Sequence, residues 1–254
     1  MSTQTDTQFD SLAPSIRLHD GSRRTAEAVA APYFSLARLR LERNEPIVEP
    51  EGNLRAGYRI AKRGFDIAGA IVAIVLLSPV LVTVFVVLSI STWGRPLIRQ
   101  ERVGYLGRRF GMYKFRSMRL DAEKLQHLVK NEHNSGPIFK NRRDPRITRI
   151  GRLLRRTSID EMPQLFNVLF GHMSLVGPRP PLAKEVAHYK AWQRRRLAIP
   201  PGLTCLWQVS GRSEIGFDEW VRMDIWYLRN QNLATDLQLL VRTPLCVLSC
   251  RGAY

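Results

Sequence analysis

The sequence predicts a mostly helical α+β protein, with one re-entrant membrane helix, amphipathic interfacial helices and a small β-sheet around a cytosolic site. Three observations predict it: an uncharged apolar run over residues 67–90, two alternating stretches after that run, and a large positive charge. We expect three segments. They are a polar, mostly disordered tail over residues 1–56, the re-entrant helix over residues 57–95, and a third domain over residues 96–254.

The charge and the cysteines narrow the class of protein. The 254 residues carry a formal net charge of +17, and the lysines and arginines are spread along the chain. Such a charge implies a polyanionic partner, which could be nucleic acid, an anionic membrane surface or a phosphorylated substrate. The three cysteines, Cys205, Cys246 and Cys250, form no disulfide or zinc pattern and therefore favour a reducing, cytosol-facing location.

The apolar run over residues 67–90 predicts a membrane helix. About 24 residues make a helix of roughly 36 Å, enough to cross a hydrocarbon core of about 30 Å. Ser78 and Pro79 stand in the middle of the run, where a proline removes a helical hydrogen bond and favours a kink. Basic residues flank the run on both sides, so the positive-inside rule gives no orientation. Both features favour a bent helix with its two ends on the cytoplasmic face, and an ordinary spanning helix remains the alternative.

Periodicity predicts the elements of the remaining chain. Residues 96–104 and 110–118 alternate as strands do, and the second stretch places Lys114 and Arg116 on one face. That face either belongs to an ordinary edge strand or aims two cations at a common site. We expect amphipathic helices over residues 120–132, 146–156 and 182–197, and a short strand over residues 203–209. Residues 217–228 carry an aromatic-rich face, and residues 233–248 form a final apolar helix that Pro244 interrupts, too broken to count as a second membrane span. The aromatic face of residues 217–228 suits either a lipid headgroup boundary or a core.

Two adjacent carboxylates, Asp160 and Glu161, precede the short apolar stretch 165–170 and follow the basic run 146–156. Either Ser158 caps this helix through a capping box or Pro163 is its first residue, and the sequence leaves the register open. Carboxylates here could cap the helix, hold a magnesium ion or attack phosphorus. Arginines near the pair are candidates for binding phosphate, as is Arg179, which prolines stiffen on both sides.

Several ordered motifs together make the sequence similar to one known family. These are Lys62-Arg63-Gly64-Phe65-Asp66, Ser78-Pro79, Lys114-Phe115-Arg116-Ser117-Met118, Asp144-Pro145-Arg146-Ile147-Thr148, Ser158-Ile159-Asp160-Glu161, Met173-Ser174-Leu175-Val176-Gly177-Pro178-Arg179-Pro180, Leu206-Trp207-Gln208-Val209 and Arg251-Gly252-Ala253-Tyr254. From about Lys62 to Tyr254, the chain resembles the bacterial sugar transferases, the monotopic polyprenyl-phosphate phosphoglycosyl transferases. Larger members of that family carry an N-terminal membrane domain of several helices, for which we find no counterpart in this sequence.

The resemblance implies transfer of a sugar 1-phosphate from a UDP-sugar to undecaprenyl phosphate, with release of UMP, as the first step of exopolysaccharide or other surface glycan synthesis. It implies that Asp160 is the nucleophile and forms an aspartyl phosphosugar, with Glu161 and Mg²⁺ assisting. Arg155 and Arg179 match phosphate-binding positions, and Lys114 is a further candidate. The family's Ser-Pro break, here Ser78-Pro79, makes its membrane helix re-entrant.

The resemblance also implies a place in the cell and partners. We expect a monotopic protein on the cytoplasmic face of the bacterial inner membrane, bound to anionic lipids, with no nucleic-acid partner and with a second copy of the chain as a candidate partner. A hexose such as glucose or galactose is the family-level expectation for the sugar. The sequence departs from many relatives at His172, where an acidic residue is usual, and at Cys205, where glycine is usual.

Two other functions would also explain parts of the sequence. A membrane-anchored nucleic-acid-binding protein would explain the charge, but it would not explain two carboxylates within a basic run. A non-catalytic scaffold of a polysaccharide assembly complex would explain the membrane helix and the basic surface. The scaffold predicts a degraded acidic pair, whereas Asp160 and Glu161 are both present.

Overall fold

The computed structural model describes residues 54–132, 136–139, 141, 143–210 and 215–248. Nearly all of the predicted polar tail lies outside these residues, as do Cys250 and the C-terminal motif. Within them the chain is mostly helical with little β-structure, which confirms the predicted class. The α-helices and β-strands of the described residues, in chain order, are α1 (Leu54–Ser91), β1 (Leu97–Val103), β2 (Arg109–Phe115), α2 (Arg149–Arg156), α3 (Gln164–Leu169), β3 (Ser174–Val176), α4 (Ala183–Ala187), α5 (Ala191–Arg194), β4 (Gly202–Thr204), α6 (Leu206–Val209), α7 (Phe217–Arg229) and α8 (Leu233–Leu248).

Helix α1 contains the predicted apolar run and extends it toward the N-terminus. It is long and apolar enough to cross a membrane, with a mean hydropathy of 3.1 in its most apolar stretch, and only 6% of that stretch is buried. The helix continues through Ser78 and Pro79. Because Pro79 has no N–H, it leaves the carbonyl of Val75 without its usual helical donor. The Ser78 hydroxyl donates to that carbonyl at 2.8 Å, so the Ser-Pro pair satisfies the group that its own proline leaves unpaired.

Polar side chains fix the N-terminal end of α1 to the rest of the protein. The Lys62 ammonium lies 3.0 Å from a carboxylate oxygen of Asp236 in α8. The Arg63 guanidinium donates to the carbonyls of Val168 and Leu169 at the C-terminal end of α3. Carbonyls in the last turn of a helix lack donors from the helix itself, and the Val168 carbonyl also accepts from the Gly171 N–H at 3.0 Å, so the arginine completes the C-terminal cap of α3. The motif of residues 62–66 therefore docks α1 onto the rest of the protein.

The C-terminal end of α1 also packs on the globular part. Leu88 is only 1% exposed and packs in a small apolar cluster with Phe115 of β2 and Leu154 of α2. Leu81 and Val84 cover this cluster from the preceding turns of α1. Both ends of the apolar helix thus contact one body, and the exposed apolar residues lie mainly between them.

Two small sheets hold the site. Strands β1 and β2 pair antiparallel with Ile98 opposite Lys114, and β3 and β4 pair parallel. The other edge of β2 is closed by Asn167 of α3, which is fully buried. Its side chain accepts from the Tyr113 N–H at 2.9 Å and donates to the Gly111 carbonyl at 2.8 Å. The Asn167 side chain thus pairs with the backbone of β2 as a neighbouring strand would, and it fixes β2 against α3.

Three of the predicted elements are wrong in detail. Residues 120–132 form turns and one 3₁₀ turn at Gln126–Leu128, rather than a helix. Residues 182–197 break at His188 into the short helices α4 and α5, followed by a 3₁₀ turn over Arg195–Ala198. The apolar stretch 203–209 changes from β4 to α6 at Cys205. In each case tertiary packing and polar contacts override the periodic signal.

The aromatic face of α7 belongs to the core. Trp220, Met223, Ile225 and Tyr227 are each at most 4% exposed, and Trp220 stacks on Trp207 of α6 with ring centroids 3.8 Å apart. Of the two explanations that the sequence left open for this face, the structure therefore supports the core and not the headgroup boundary.

Candidate active site

The acidic pair lies in a 3₁₀ turn, Ile159–Glu161, between α2 and α3. Ser158 precedes this turn with φ 56°, a left-handed conformation that is uncommon for a residue other than glycine, and its side chain makes no capping hydrogen bond. Pro163 stands immediately before α3 with helical backbone angles. Ser158 therefore forms no capping box, and Pro163, which has no N–H to satisfy, leads directly into α3 from the position before its first residue.

Glu161 is held by two cations from distant parts of the chain. Its Oε1 lies 2.8 Å from the Lys114 ammonium of β2 and 3.2 Å from the Arg179 guanidinium, which follows β3. Burial opposes ionisation of the Glu161 carboxyl, but the charges of Lys114 and Arg179 outweigh burial and hold the pKa of Glu161 well below its usual range. Glu161 is therefore a fixed negative charge that preorganises two of the predicted phosphate-binding residues.

Asp160 differs from its neighbour although both side chains are buried. In the part of the chain that the structure describes, its carboxylate has neither a hydrogen bond nor an ion pair, and the residue is only 5% exposed. Burial raises the pKa of Asp160; the Lys114 charge opposes this shift, repulsion from Glu161 adds to it, and Arg155 and Arg179 lower it again. A carboxylate among cations with free lone pairs is available to attack an electrophile.

Arg155 reaches the same place from the last turn of α2. Its Nε donates to the Ser117 hydroxyl at 2.9 Å, and its charge acts on both Asp160 and Asp144. By contrast, Arg116 of the same strand face donates to the Arg95 carbonyl instead of joining the Glu161 cluster. Of the two cations that the alternation placed on one face, only Lys114 belongs to that cluster.

Gly151 allows α2 to lie close enough for Arg155 to reach the site. A Cβ atom built on Gly151 would stand 1.8 Å from the Ser117 carbonyl oxygen. We expect Gly151→Ala to push α2 away from the segment after β2, to weaken the Arg155–Ser117 contact, and to cost about 1–3 kcal/mol of stability. Thermal unfolding in detergent checks this, with Gly64→Ala as control, because a Cβ at Gly64 meets no atom within 4 Å. Equal unfolding temperatures for the two variants would contradict the packing argument.

A cavity of about 1090 Å³ joins these charges to an apolar surface. Asp160, Glu161, Lys114, Arg155 and Arg179 all line it. Residues on one side of α1 and on α8 line the same cavity, namely Phe65, Gly69, Ala73, Leu77, Val80, Leu81, Leu240, Thr243, Pro244 and Val247. The two helices are joined near their N-terminal ends by the Lys62–Asp236 ion pair. The cavity can therefore take a ligand with an anionic end and a long apolar end.

Asp160 and Glu161 could supply only part of the ligand shell of a magnesium ion. The described residues contain no group of three or more acidic, histidine or cysteine side chains that could hold a metal ion. Mg²⁺ is usually bound by one or two carboxylates together with substrate phosphates and water. Asp160, with no partner among the described residues, and the second oxygen of Glu161 meet that lower requirement, so the donor set fits a magnesium ion brought with a diphosphate.

Several buried polar residues around the site were missed by sequence reasoning. Arg196 was assigned to a surface helix, but it is only 3% exposed and pairs with Asp224 of α7 at 2.6 Å. Arg102 looked like one polar residue of an alternating strand, but it is only 8% exposed and donates to the Pro180 carbonyl. No periodic signal marks a buried arginine, because its partners come from other elements.

The chain matches the model of the bacterial sugar transferase family over residues 57–250. It is 47% identical over 199 residues to a galactosyl transferase of Streptococcus agalactiae, covering 77% of this chain and 44% of the relative. It is 42% identical over 206 residues to an undecaprenyl-phosphate galactose phosphotransferase of Salmonella typhimurium, covering 77% and 42%. It is 36% identical over 213 residues to an exopolysaccharide production protein of Sinorhizobium fredii, covering 82% and 94%.

The chain thus spans less than half the length of the first two of these relatives and nearly all of the third. The matched residues 57–250 include nearly all of α1, both small sheets and every site residue predicted from the sequence. The resemblance seen in the motifs is confirmed: the chain belongs to the bacterial sugar transferase family.

Proposed function

We propose that this chain transfers a sugar 1-phosphate from a UDP-sugar to undecaprenyl phosphate through a covalent intermediate on Asp160, and so starts the synthesis of an exopolysaccharide or other surface glycan. The observation that carries the proposal is the buried Asp160 carboxylate, which is unpaired among the described residues and lies near three cations in a cavity with an apolar wall. The names of relatives agree, since one is named for galactose transfer to undecaprenyl phosphate and another for exopolysaccharide production.

The first step is attack by a carboxylate oxygen of Asp160 on the β-phosphorus of the UDP-sugar. The bond from that phosphorus to the bridging oxygen breaks, and UMP leaves with the oxygen. Arg179 and Lys114 are already held at Glu161, so they meet the phosphate charges without large reorganisation. Arg155 approaches from α2 and adds a third cation.

The second step is attack by an oxygen of undecaprenyl phosphate on the same phosphorus. The bond between that phosphorus and the Asp160 oxygen breaks, which restores the carboxylate and gives undecaprenyl diphosphosugar. Asp160 and Glu161 would hold Mg²⁺, which supplies charge neutralisation for the diphosphate. Lys114 of β2, Arg155 of α2 and Arg179 after β3 would balance part of the phosphate charge.

Transfer through a covalent intermediate is tested without the lipid. Labelled UMP should exchange into UDP-sugar when only the protein and Mg²⁺ are present, because the first step is reversible. A panel of UDP-sugars, beginning with UDP-galactose and UDP-glucose, would identify the donor. Transfer to undecaprenyl phosphate without any such exchange would contradict the intermediate. Neither exchange nor transfer from a folded protein would favour the non-catalytic scaffold.

The apolar wall of the cavity supports a lipid acceptor. Ala73 and Leu77 of α1 line the cavity one helical turn apart and are partly buried. We expect Ala73→Trp to lower transfer to undecaprenyl phosphate by about tenfold or more, because the indole fills space that the polyprenyl chain needs. UMP exchange should remain, because the donor does not use this wall. A matched Val72→Trp variant, on the exposed side of α1, should retain both activities. Equal loss of exchange and transfer in Ala73→Trp would contradict the assignment.

We propose further that α1 enters the membrane from the cytoplasmic face of the bacterial inner membrane and returns to the same face. Contacts of both its ends with one globular body support this arrangement. Other apolar residues suit the same interface, including Phe166 and Phe170 at α3 and a stripe on α8 formed by Leu237, Val241 and Leu245. Exposed arginines of α2 beside them would meet anionic lipids.

Labelling of engineered cysteines tests the topology. We expect a cysteine near residue 40 and a cysteine in place of Trp93, which is 89% exposed, to react only with reagents that reach the cytoplasm. An ordinary spanning helix would place these two positions on opposite sides of the membrane. Intact cells and opened vesicles give the comparison, and the parent chain gives the background from native cysteines. Labelling of either position from the periplasm of intact cells would contradict the re-entrant arrangement.

A further inference from the structure

The segment that carries Arg179 is held almost entirely through its carbonyl groups. Residues 178–181 contain three prolines, which have no N–H to donate. Each of the four carbonyls nevertheless accepts a hydrogen bond from another element. The pairs are Pro178 with the Gly202 N–H at 2.9 Å, Arg179 with Arg196 Nη2 at 3.1 Å, Pro180 with Arg102 Nη1 at 3.1 Å, and Pro181 with the Val103 N–H at 2.9 Å.

Two of the four donors are side chains of buried arginines. Burying a guanidinium is costly unless it is paired and hydrogen-bonded. Arg196 is compensated by Asp224 at 2.6 Å and by the Tyr189 hydroxyl at 3.0 Å. Burial raises the pKa of Asp224 to about 6 although the Arg196 charge lowers it, and the 2.6 Å contact between the two groups is that of an ion pair.

Arg102 has weaker compensation. Its guanidinium also donates to the neutral Gln100 side chain at 2.7 Å, and within the described part of the chain no carboxylate pairs with it; the buried Nε of Arg102, like that of Arg196, has no hydrogen-bond partner there. Burial first, and then the nearby Arg179 charge, lower the pKa of Arg102 to about 10. Burying two guanidiniums beside one short segment costs folding free energy. We therefore expect these arginines to serve a purpose other than stability.

The base of the segment is fixed by close backbone contact. A Cβ atom on Gly202 would lie 2.0 Å from the Gly177 nitrogen, so β4 meets the segment with no room for a side chain. From this frame the Arg179 guanidinium reaches Glu161 at 3.2 Å. The backbone of Arg179 is therefore fixed on one side by Arg196, while its side chain is fixed on the other by Glu161.

We propose that Arg102 and Arg196, the latter together with Asp224, are positioning residues that lock the backbone of Arg179 so that its guanidinium is in place before the donor diphosphate binds. They act through Arg179 and touch no reacting atom. A displacement of about 1 Å at a substrate-binding group can lower a rate by about 10²-fold, so such a lock matters for a covalent step. The inference rests on the proposed function for its meaning, but its test does not depend on turnover alone.

A double-mutant cycle separates positioning from general stability. Arg196→Lys keeps a positive charge for Asp224 but loses the planar fork, and Asp224→Asn keeps the shape but loses the charge. Each should lower UMP exchange by about 10- to 100-fold in the parent chain. In an Arg179→Ala background each should lower it by less than about threefold, because the residue to be positioned is gone. Equal fold losses in both backgrounds would overturn the proposal.

Controls keep the outcome specific. Arg194→Lys changes an exposed arginine that donates to the Tyr189 carbonyl, and it should leave exchange unchanged. Should Arg196→Lys fail to fold, Arg102→Lys tests the same cycle through the Pro180 carbonyl. If the parent chain shows no exchange, which would sink the proposed function, the cycle is repeated with the dissociation constant of UDP. Weaker UDP binding that is non-additive with Arg179→Ala would still support positioning, and additive weakening would overturn it.

Discussion

Asp160→Asn is expected to abolish both UMP exchange and transfer, with a loss on the order of 10⁴-fold or more, as for other enzymes that lose a covalent nucleophile. The amide is neutral and cannot form the acyl phosphate, while its shape keeps the 3₁₀ turn intact. Removing a buried carboxylate that has no partner among the described residues should leave the unfolding temperature unchanged or raise it. Mass spectrometry of the protein after incubation with UDP-sugar and Mg²⁺ should detect the phosphosugar adduct in the parent chain only.

Two further variants serve as controls for this prediction. Asp160→Ala excludes slow deamidation of the asparagine back to aspartate as a source of residual activity. Asp121→Asn changes an exposed carboxylate that pairs with Arg119, and it should retain the parent rate and the adduct. Exchange at the parent rate in Asp160→Ala, or an adduct on another residue, would show that the nucleophile has been assigned wrongly.

Arg179→Ala is expected to lower kcat/KM for the UDP-sugar by about 10²- to 10³-fold, the loss typical of removing one preorganised donor from a charged transition state. Glu161 would keep Lys114 as its remaining ion-pair partner, so the turn should stay folded. Arg179→Lys should lose less, because it keeps the charge but not the planar guanidinium. Steady-state rates of UMP release with saturating acceptor measure both variants.

Arg152→Ala is the matched control for charge. Arg152 is an exposed arginine of α2, and its removal changes the net charge as Arg179→Ala does. Its effect on donor kcat/KM should be less than twofold. If Arg152→Ala were as damaging as Arg179→Ala, the loss would come from the overall cationic field of the protein rather than from a positioned guanidinium.

Much of the site was predictable because its chemistry is local in the sequence. Asp160 and Glu161 are adjacent, and Arg155 lies within two helical turns of them. The uncharged run ensured a long apolar helix, since no other element of this length could leave so few polar groups to water or lipid. The strands predicted at residues 96–104 and 110–118 also exist, as the seven-residue strands Leu97–Val103 and Arg109–Phe115.

The predictions from sequence failed where a periodic stretch was short or where a charged side chain was taken to be exposed. Residues 203–209 are too few for periodicity to separate a strand from a helix, and the chain uses both. A run of three arginines at positions 194–196 is typical of a solvated helix face, and yet Arg196 is buried, with its terminal nitrogens paired to Asp224, the Tyr189 hydroxyl and the Arg179 carbonyl. Such pairing depends on residues 7 to 28 positions away and leaves no local pattern.

By itself the sequence determined the class of fold, the single long apolar helix, the acidic pair and the family resemblance, because composition, periodicity and motifs act within short stretches. Only the tertiary structure decided that Glu161 is paired with both Lys114 and Arg179 while Asp160 has no partner among the described residues. It also decided that buried guanidiniums hold a segment rich in proline. The physical reason is that the pairing and burial of a charge depend on side chains that meet only after the chain has folded.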